Sequence, residues 1–380
     1  MRIAQVAPLY ERVPPELYGG TERVVSFLTE ELVRLGHDVT LFASGDSVTQ
    51  ARLVAPCARS LRLDLNCRDP LAPHVRMLGW VYERAREFDI IHCHTDYLGL
   101  PLSRCTDVPT VLTLHGRLDM PEIHPLFQEY RNVRLVSISD AQRAPVPDAN
   151  WAATVHHGLP PDLYTFHPQP GAYLLFLGRI SPEKCPDAAI RIAKRAGVRL
   201  KIAAKVDAVD RNYFETMIQP MMDDPLIEFI GEVSDPEKGS LLGSAMALLF
   251  PIDWPEPFGL VMLESLACGT PVIARPRGSV PEILRDRHTG FVCESEDEMV
   301  DAVRHVAKLD RRVCRNEFEE RFTASVMARA YVDVYRRICT ERRPPRSHRA
   351  APLHAGSREP VPAMAKSGPM PAPTEGDPSI

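Results

Sequence analysis

The stretch Pro251-Ile-Asp-Trp-Pro-Glu-Pro-Phe-Gly-Leu-Val-Met-Leu-Glu264 contains two carboxylates in very different settings. Glu256 lies between two prolines, which fix φ and prevent a regular helix, so this glutamate is predicted to lie in a rigid loop. A helix is predicted to begin at Phe258 or Gly259 and to contain Glu264. The residues three and four positions from Glu264 on that helix are all apolar, so this carboxylate is not on a solvated face. They are Leu260, Val261, Ala267 and Cys268.

A carboxylate among apolar side chains needs hydrogen-bond donors, because burying even a neutral polar group without them costs roughly 2 to 7 kcal/mol. The cis-diol of a ribose offers two hydroxyl donors to one carboxylate. The backbone N–H groups of Gly259, Leu260 and Val261 would point out of the helix N-terminus, where an anion or a sugar oxygen is favoured. The two glutamates therefore flank a helix start that suits a sugar nucleotide. The alternative is a helix with a purely structural glutamate.

The surrounding residues make the pattern specific. Pro257-Phe-Gly-Leu260 precedes the helix interior, and Ala267-Cys-Gly-Thr-Pro-Val-Ile-Ala274 and Gly278-Ser-Val-Pro-Glu282 follow it. Together with the Glu-x7-Glu spacing from Glu256 to Glu264, they resemble the group 1 retaining glycosyltransferases. The resemblance implies the α/β GT-B fold, in which two Rossmann-like domains face a central cleft and a C-terminal helix crosses back. It also implies that Glu256 holds the hydroxyls of the donor sugar and that Glu264 holds the ribose. The implied donor site further includes Phe258, Gly259, Leu260 and Val261.

The composition is that of a globular protein with two cores. The chain has 380 residues, of which 44% are hydrophobic and 25% charged. Its net charge of −5 gives no reason to expect a nucleic-acid partner. The nine cysteines are odd in number and never closer than ten positions, which argues against a disulfide framework or a Cys-x-x-Cys zinc site. Without a signal-peptide pattern or a run of about 18 apolar residues, the expected location is the cytoplasm.

Residues 1–165 are predicted to form the first Rossmann-like domain, which binds the acceptor in relatives. Its first strand, Arg2 to Ala7, is followed by Gly19-Gly20, a helix that ends at Gly36 and a second strand, which together make a βαβ unit. No third glycine completes the fingerprint Gly-x-Gly-x-x-Gly, so a nicotinamide enzyme is disfavoured. The glycine pair is either a turn or a ligand loop. The resemblance places Gly20 at the donor and Gly19 on the acceptor side.

Two predicted strands of this domain end in histidine, at His94 and at His115. Ligands of open α/β sheets bind beyond the carboxyl ends of the strands, so both side chains are candidates for the cleft. The segment Thr113-Leu-His-Gly116 resembles the family segment whose histidine contacts the transferred sugar, and His94 is assigned to the acceptor side. His92 is predicted to be structural and bonded to the backbone, because it lacks the further ligands that a zinc site requires.

Three further segments of the first domain carry weaker signals. Ser139 follows another strand and is either an acceptor-side residue, as in the family, or a helix cap. His157 stands where relatives carry the asparagine of Asn-Gly-Val-Asp, so no binding role is assigned to it. Residues 45–75 are poorly patterned and predicted to include an irregular loop, and a helix is expected from about Val75 to Phe88.

Residues 171–322 are predicted to form the second Rossmann-like domain, which binds the nucleotide sugar in relatives. Its first strand is almost wholly apolar, as expected for a parallel strand covered on both faces. Arg179 and Lys184 follow it on one short loop, so both could reach one pyrophosphate. A basic pair of this kind is often merely solvated, but the segment resembles the phosphate-binding Gly-Arg and Lys of the family. Cys185 departs from the glycine common there. Val233 corresponds to the family segment that packs on the donor base.

The resemblance assigns Glu256, His115, Arg179 and Lys184 to catalysis. The leaving diphosphate gains negative charge while the sugar becomes oxocarbenium-like, so neutralising the phosphate matters more than a strong base. The sequence contains no Asp-x-Asp, which agrees with cationic side chains in place of a divalent metal. The chain is therefore expected to use no cofactor and no metal, and to bind a nucleoside-diphosphate sugar and a hydroxyl acceptor.

The donor is expected to be UDP-glucose, ahead of GDP-mannose and ADP-glucose. The segments from Ala7 to Pro15 and from Phe42 to Asp46 resemble a bacterial subgroup often described as UDP-glucose-dependent, which includes tetrahydrobiopterin glucosyltransferases. Two alternatives stay open. One is a nucleotide-sugar epimerase or hydrolase that transfers nothing to an acceptor. The other is a catalytically silent nucleotide-sugar-binding protein of the same fold.

The end of the chain is predicted to contribute one helix and a tail. Residues 323–340 are expected to return to the first domain, as in relatives. Residues 341–380 contain nine prolines and are predicted to be disordered. Six basic and four acidic residues in the tail leave a weak peripheral contact with the inner membrane face open. The sequence indicates neither the acceptor nor the oligomeric state.

Overall fold

All strands of the first sheet are parallel to their neighbours, as the βαβ pattern predicts. The computed structural model describes residues 1–16, 19–62 and 64–341. The first sheet has seven strands in the order β3-β2-β1-β4-β5-β6-β7. They are β1 (Arg2–Val6), β2 (Asp38–Phe42), β3 (Arg52–Val54), β4 (Ile90–Cys93), β5 (Thr110–Thr113), β6 (Arg134–Ser137) and β7 (Trp151–Thr154).

The helices of the first half differ from prediction in one region. They are α1 (Gly20–Arg34), α2 (Leu71–Glu83), α3 (Ile123–Glu129) and α4 (Asp140–Arg143). Helix α2 begins at Leu71 rather than Val75, because Pro73 lies in its first turn, where a missing N–H breaks no helical hydrogen bond. It ends at Glu83, and a separate 3-10 turn follows. The poorly patterned region before it contains β3, whose Leu53 lies opposite Leu41 of β2.

The second sheet has six parallel strands in the order β10-β9-β8-β11-β12-β13. This corresponds to the 3-2-1-4-5-6 order of a doubly wound Rossmann sheet, so the prediction of two Rossmann-like domains is confirmed. The strands are β8 (Tyr173–Arg179), β9 (Arg199–Lys205), β10 (Ile227–Phe229), β11 (Ala247–Phe250), β12 (Val272–Ala274) and β13 (Gly290–Val292). The helices are α5 (Pro186–Ala196), α6 (Arg211–Tyr213), α7 (Asp235–Gly243), α8 (Leu260–Ala267), α9 (Val280–Ile283), α10 (Glu296–His305) and α11 (Arg311–Arg321).

The last helix, α12 (Ala324–Thr340), packs on the first domain, which confirms the predicted return of the chain. Tyr331 and Tyr335 on this helix are completely buried in one apolar cluster with Val24, Leu28 and Leu32 of α1. No helix in the described ranges is long and apolar enough to cross a membrane. The predicted disordered tail lies, apart from its first residue, outside the described residues.

The tight contact between β12 and β13 generates a prediction about stability. A Cβ on Gly290 would lie 1.9 Å from the carbonyl oxygen of Val272, so Gly290→Ala should lower the free energy of unfolding by about 2 kcal/mol or more. Gly79 inside α2 has no heavy atom within 4 Å of such a Cβ, so Gly79→Ala should raise it by about 0.5 to 1 kcal/mol. Denaturant unfolding of both variants measures this difference, and a tolerated Gly290→Ala would contradict the strand register.

Candidate active site

A cleft of about 810 Å³ lies between the two domains, beyond the carboxyl ends of their parallel strands. Its volume is within the range of about 300 to 1,000 Å³ that is usual for small-molecule sites. All but three of the predicted site residues line it. Those on the cleft are Gly19, Gly20, His94, His115, Arg179, Lys184, Glu256, Phe258, Gly259, Leu260 and Val261.

Glu256 is nearly buried at the edge of this cleft, with 8% of its surface exposed. Its Oε2 accepts hydrogen bonds from Lys184 Nζ and, at 3.1 Å, from Trp254 Nε1. The Lys184 ammonium also lies 4.7 Å from the centroid of the Trp254 ring, within cation–π range. The carboxylate is thus held by a lysine that follows β8 and by an indole from its own loop.

The Glu256 loop is supported by a close backbone crossing. Gly278 adopts φ 55°, and a Cβ on it would lie 2.2 Å from the carbonyl oxygen of Glu256. The next residue, Ser279, donates its backbone N–H to that same oxygen at 2.9 Å. Only glycine fits this crossing, which explains why a Gly-Ser segment follows the two glutamates in sequence.

Glu264 is buried as predicted, but its observed partner is a lysine. It is 5% exposed and does not line the cleft. Its Oε1 accepts a hydrogen bond from Lys238 Nζ of α7 at 3.3 Å. Helix α8 begins at Leu260, slightly later than predicted, and Gly259 caps it in the left-handed conformation with φ 77°. The apolar neighbours correctly indicated a buried carboxylate that needs a donor, although Lys238 was not foreseen.

The two predicted phosphate-binding cations lie on the second-domain wall. Arg179 ends β8 and pairs with Glu183 at 3.1 Å and with Asp207 at 3.5 Å. Lys184 follows one turn later and pairs with Glu256. Cys185, which stands in place of the family glycine, adopts the left-handed φ of 52° that glycine would favour. The loop geometry is therefore kept, at a backbone cost of about 1 to 2 kcal/mol.

Three histidines line part of the first-domain wall. His94 Nδ1 lies 2.9 Å from His115 Nε2, and the His115 ring stacks on His157 with ring centroids 5.2 Å apart. Burial lowers the pKa of His115 to about 3 and holds those of His94 and His157 well below the ordinary value. The prediction for His92 is wrong in one respect: its ring nitrogens contact the side chains of Tyr335 and Thr113 rather than the backbone.

The other two residues that lie off the cleft are Ser139 and Val233. Ser139 Oγ accepts the backbone N–H of Gln142 and so caps α4, and it donates to the carbonyl of Pro257 at 2.7 Å. The helix-cap alternative describes this side chain, which also ties the first domain to the Glu256 loop. Val233 is buried in the core of the second domain.

Sequence reasoning missed two residues on the cleft wall. His157 was set aside because it departs from the family asparagine, yet it stacks on His115 and packs edge-on against Phe258 at 4.7 Å. Glu22, in the first turn of α1, is buried, and burial raises its pKa to about 7. Its position two residues after the glycine pair was the available signal. Across the described ranges, no three metal-ligating side chains converge on one point.

The comparison with known families agrees with this geometry. Residues 165–323 match the family described as "Glycosyl transferases group 1". Residues 18–162 match the family described as "Glycosyltransferase Family 4". The chain thus carries one glycosyltransferase family match in each of its two domains. It is a glycosyltransferase of GT-B fold, whose two family matches correspond to the two walls of the cleft.

Individual relatives of this glycosyltransferase cover nearly the whole described chain. The phosphatidyl-myo-inositol mannosyltransferase of Mycobacterium leprae is 25% identical and spans 90% of this chain and 98% of its own. AviGT4, a glycosyltransferase involved in avilamycin A biosynthesis, is 25% identical with a TM-score of 0.68, covering 90% of this chain and 98% of its own. HepE of Anabaena, solved in complex with UDP-glucose, shares the fold at a TM-score of 0.67 and 16% identity, over 89% of this chain and 100% of its own.

The buried histidines predict that the glycosyltransferase loses stability in mild acid. Because burial lowers the pKa of His157 below its ordinary 6.5, the unfolded chain binds a proton there that the folded chain does not. The contribution of His157 to the free energy of unfolding is therefore fully present above about pH 6.5 and is lost as the pH falls below that value.

The variant His157→Asn isolates this contribution. It removes one buried imidazole whose pKa is lowered. The slope of the free energy of unfolding against pH, between about pH 6 and 4.5, should therefore decrease by up to about 1.4 kcal/mol per pH unit. Denaturant unfolding at several pH values measures the slopes, and equal slopes in both proteins would contradict the assignment.

Proposed function

We propose that this glycosyltransferase is a retaining hexosyltransferase that moves glucose from UDP-glucose to a hydroxyl acceptor without a metal ion. The observation that carries the proposal is the convergence of Arg179, Lys184 and the N-terminus of α8 on the second-domain wall. A guanidinium, an ammonium and free backbone N–H groups together suit a diphosphate. The donor therefore lies on the second domain and the acceptor on the first.

The same groups account for stabilisation of the leaving group. As the bond between the anomeric carbon and the phosphate oxygen breaks, negative charge develops on the diphosphate. Cations and N–H dipoles that are already in place stabilise this charge without reorganising. Because Lys184 also holds Glu256, the position of the diphosphate is coupled to the position of the carboxylate that faces the sugar.

The transferred sugar lies between the two walls in this proposal. Glu256, fixed by Lys184 and Trp254, accepts hydrogen bonds from sugar hydroxyls on one side. His115 contacts the sugar from the first domain. Glu264 remains the proposed ribose contact, although it does not line the cleft and one of its oxygens is paired to Lys238.

The acceptor lies against the first-domain wall in this proposal. Tyr10, Glu22 and Arg62 line it, and Arg62 pairs with Glu11 at 3.2 Å. A carboxyl group whose pKa burial raises to about 7, such as that of Glu22, can donate or accept a hydrogen bond near neutral pH. This property suits recognition of an acceptor hydroxyl.

The proposal also specifies the donor, with glucose as its sugar and uridine as its nucleoside. The resemblance to UDP-glucose-dependent bacterial members supports them, and HepE, which shares the fold, was solved with UDP-glucose. A mannosyl donor is the competing candidate, because the M. leprae relative is a mannosyltransferase by name. A direct comparison of nucleotides separates the two.

Calorimetry in the presence of EDTA tests the donor site. UDP and UDP-glucose should bind, and GDP and ADP should bind at least about tenfold more weakly. Arg179→Ala should weaken UDP binding by about tenfold or more, because it removes a charge-assisted hydrogen bond to phosphate. The matched control is Arg195→Ala, which removes an exposed arginine of the same domain that pairs with Asp297. A preference for GDP, or binding that requires a metal, would contradict the proposal.

Replacement of Glu256 tests the sugar site. Glu256→Gln keeps the shape but loses the charge that Lys184 neutralises, so release of UDP from UDP-glucose should slow at least about 100-fold while UDP affinity changes little. Glu237→Gln on the exposed surface of α7 is the control. Unchanged turnover in Glu256→Gln would remove this glutamate from the reaction.

A further inference from the structure

A continuous chain of buried hydrogen bonds connects the cleft histidine His115 with helix α12. From His115 it passes to His94, whose Nε2 lies 2.8 Å from Gln5 Oε1 on β1. Gln5 Nε2 donates in turn to Tyr335 Oη at 3.1 Å. The side chains of Gln5 and Tyr335 are fully buried, so each polar atom depends on its neighbour in the chain rather than on solvent.

The chain continues on the far side of Tyr335. Tyr335 Oη lies 2.6 Å from His92 Nδ1, and His92 Nε2 lies 2.7 Å from Thr113 Oγ1. Thr113 Oγ1 in turn lies 3.0 Å from Tyr331 Oη. Two hydroxyls of α12 therefore occupy fixed places in a network that reaches the cleft through β1, β4 and β5.

The chemistry of these groups determines where the protons are. Gln5 Oε1 can only accept, so His94 Nε2 carries a hydrogen. Since His94 is neutral, its Nδ1 is a lone pair and accepts the hydrogen on His115 Nε2. His115 is then left with Nδ1 as an unprotonated acceptor. This atom is buried and has no hydrogen-bond partner among the described residues.

We propose that Gln5 and Tyr335 are positioning residues that hold His115 as the neutral Nε2–H tautomer and leave Nδ1 as its only atom for a substrate hydroxyl. This inference rests on the proposed function, in which His115 faces the transferred sugar. The hydroxyl donates and His115 accepts, so the imidazole contributes no proton to the departing diphosphate. Helix α12 thereby belongs to the active centre through Tyr335, although no part of it lines the cleft.

The orientation of the Gln5 amide sets the donor-to-acceptor direction of the whole hydrogen-bond network. If the amide were turned over, its NH2 would donate to His94 and every following donor would become an acceptor. His115 would then present an N–H to the substrate. In the observed orientation the Tyr335 hydroxyl accepts from Gln5 Nε2 and can donate its own hydrogen to His92 Nδ1, so both hydrogen bonds are made in this direction.

The test combines a spectroscopic and a kinetic measurement on the full-length protein. Nitrogen-15 NMR with labelled histidine, assigned with His115→Asn, reports which ring nitrogen of His115 is protonated. The wild type should show a protonated Nε2 and an unprotonated Nδ1. A protonated Nδ1 in the wild type would overturn the proposal.

Tyr335→Phe removes only the hydroxyl that holds Gln5. It should convert His115 to a mixture of tautomers and lower kcat for UDP release from UDP-glucose about tenfold, with KM and UDP affinity changed less than about twofold. Tyr82→Phe makes the same deletion at another buried tyrosine, which bonds to the carbonyl of Gly99, and should leave both readouts unchanged. Gln5→Met is a second variant of similar size, should Tyr335→Phe fail to fold.

An unchanged tautomer and unchanged kcat in a folded variant at Gln5 or Tyr335 would also overturn the proposal. Failure of the wild type to bind any nucleotide would instead contradict the proposed function. The NMR measurement would still report the tautomer in that case, so the two failures are distinguishable.

Discussion

The ion pair between Lys184 and Glu256 is the interaction on which the cleft depends. Both side chains are mostly removed from water, so each charge would be costly without the other. Trp254 adds an N–H bond to the carboxylate and a ring face to the ammonium. Prolines on either side of Glu256 and the close backbone contact at Gly278 restrict the conformation of the Glu256 loop. The pair therefore fixes, as one unit, the carboxylate that we propose faces the sugar and the cation that we propose faces the phosphate.

The rest of the fold brings two separate sheets to this unit. The parallel order of both sheets places the strand ends with His94, His115 and Arg179 at the cleft. Direct bonds between the two domains then set their relation, including the ion pair of Arg23 with Asp235 and the bond from Ser139 to Pro257. Helix α12 adds a third connection, because a chain segment that follows the second domain completes the first.

Local sequence patterns predicted what local forces determine. The periodicity of apolar residues in strands and helices predicted both Rossmann-like domains. The apolar neighbours of Glu264 correctly indicated its burial. The misses involve partners far apart in the chain, since Lys238 and Glu264 are 26 positions apart and Gln5 and Tyr335 are 330. No local periodicity of the sequence predicts contacts between residues so far apart in the chain. The late prediction for the start of α2 has a different origin, because Pro73 lies in the first helical turn, where proline is tolerated.

The stereochemistry of donor cleavage tests the central claim most directly. Proton NMR can follow UDP-glucose, an α-linked donor, from the first minutes of incubation with the enzyme and water as acceptor. The account predicts that α-glucose and UDP form together without added metal, and that β-glucose appears only later through mutarotation. Formation of β-glucose first would contradict retention. Release of UDP from no hexose donor by a folded protein would contradict the assignment of Arg179, Lys184 and Glu256 as one catalytic site.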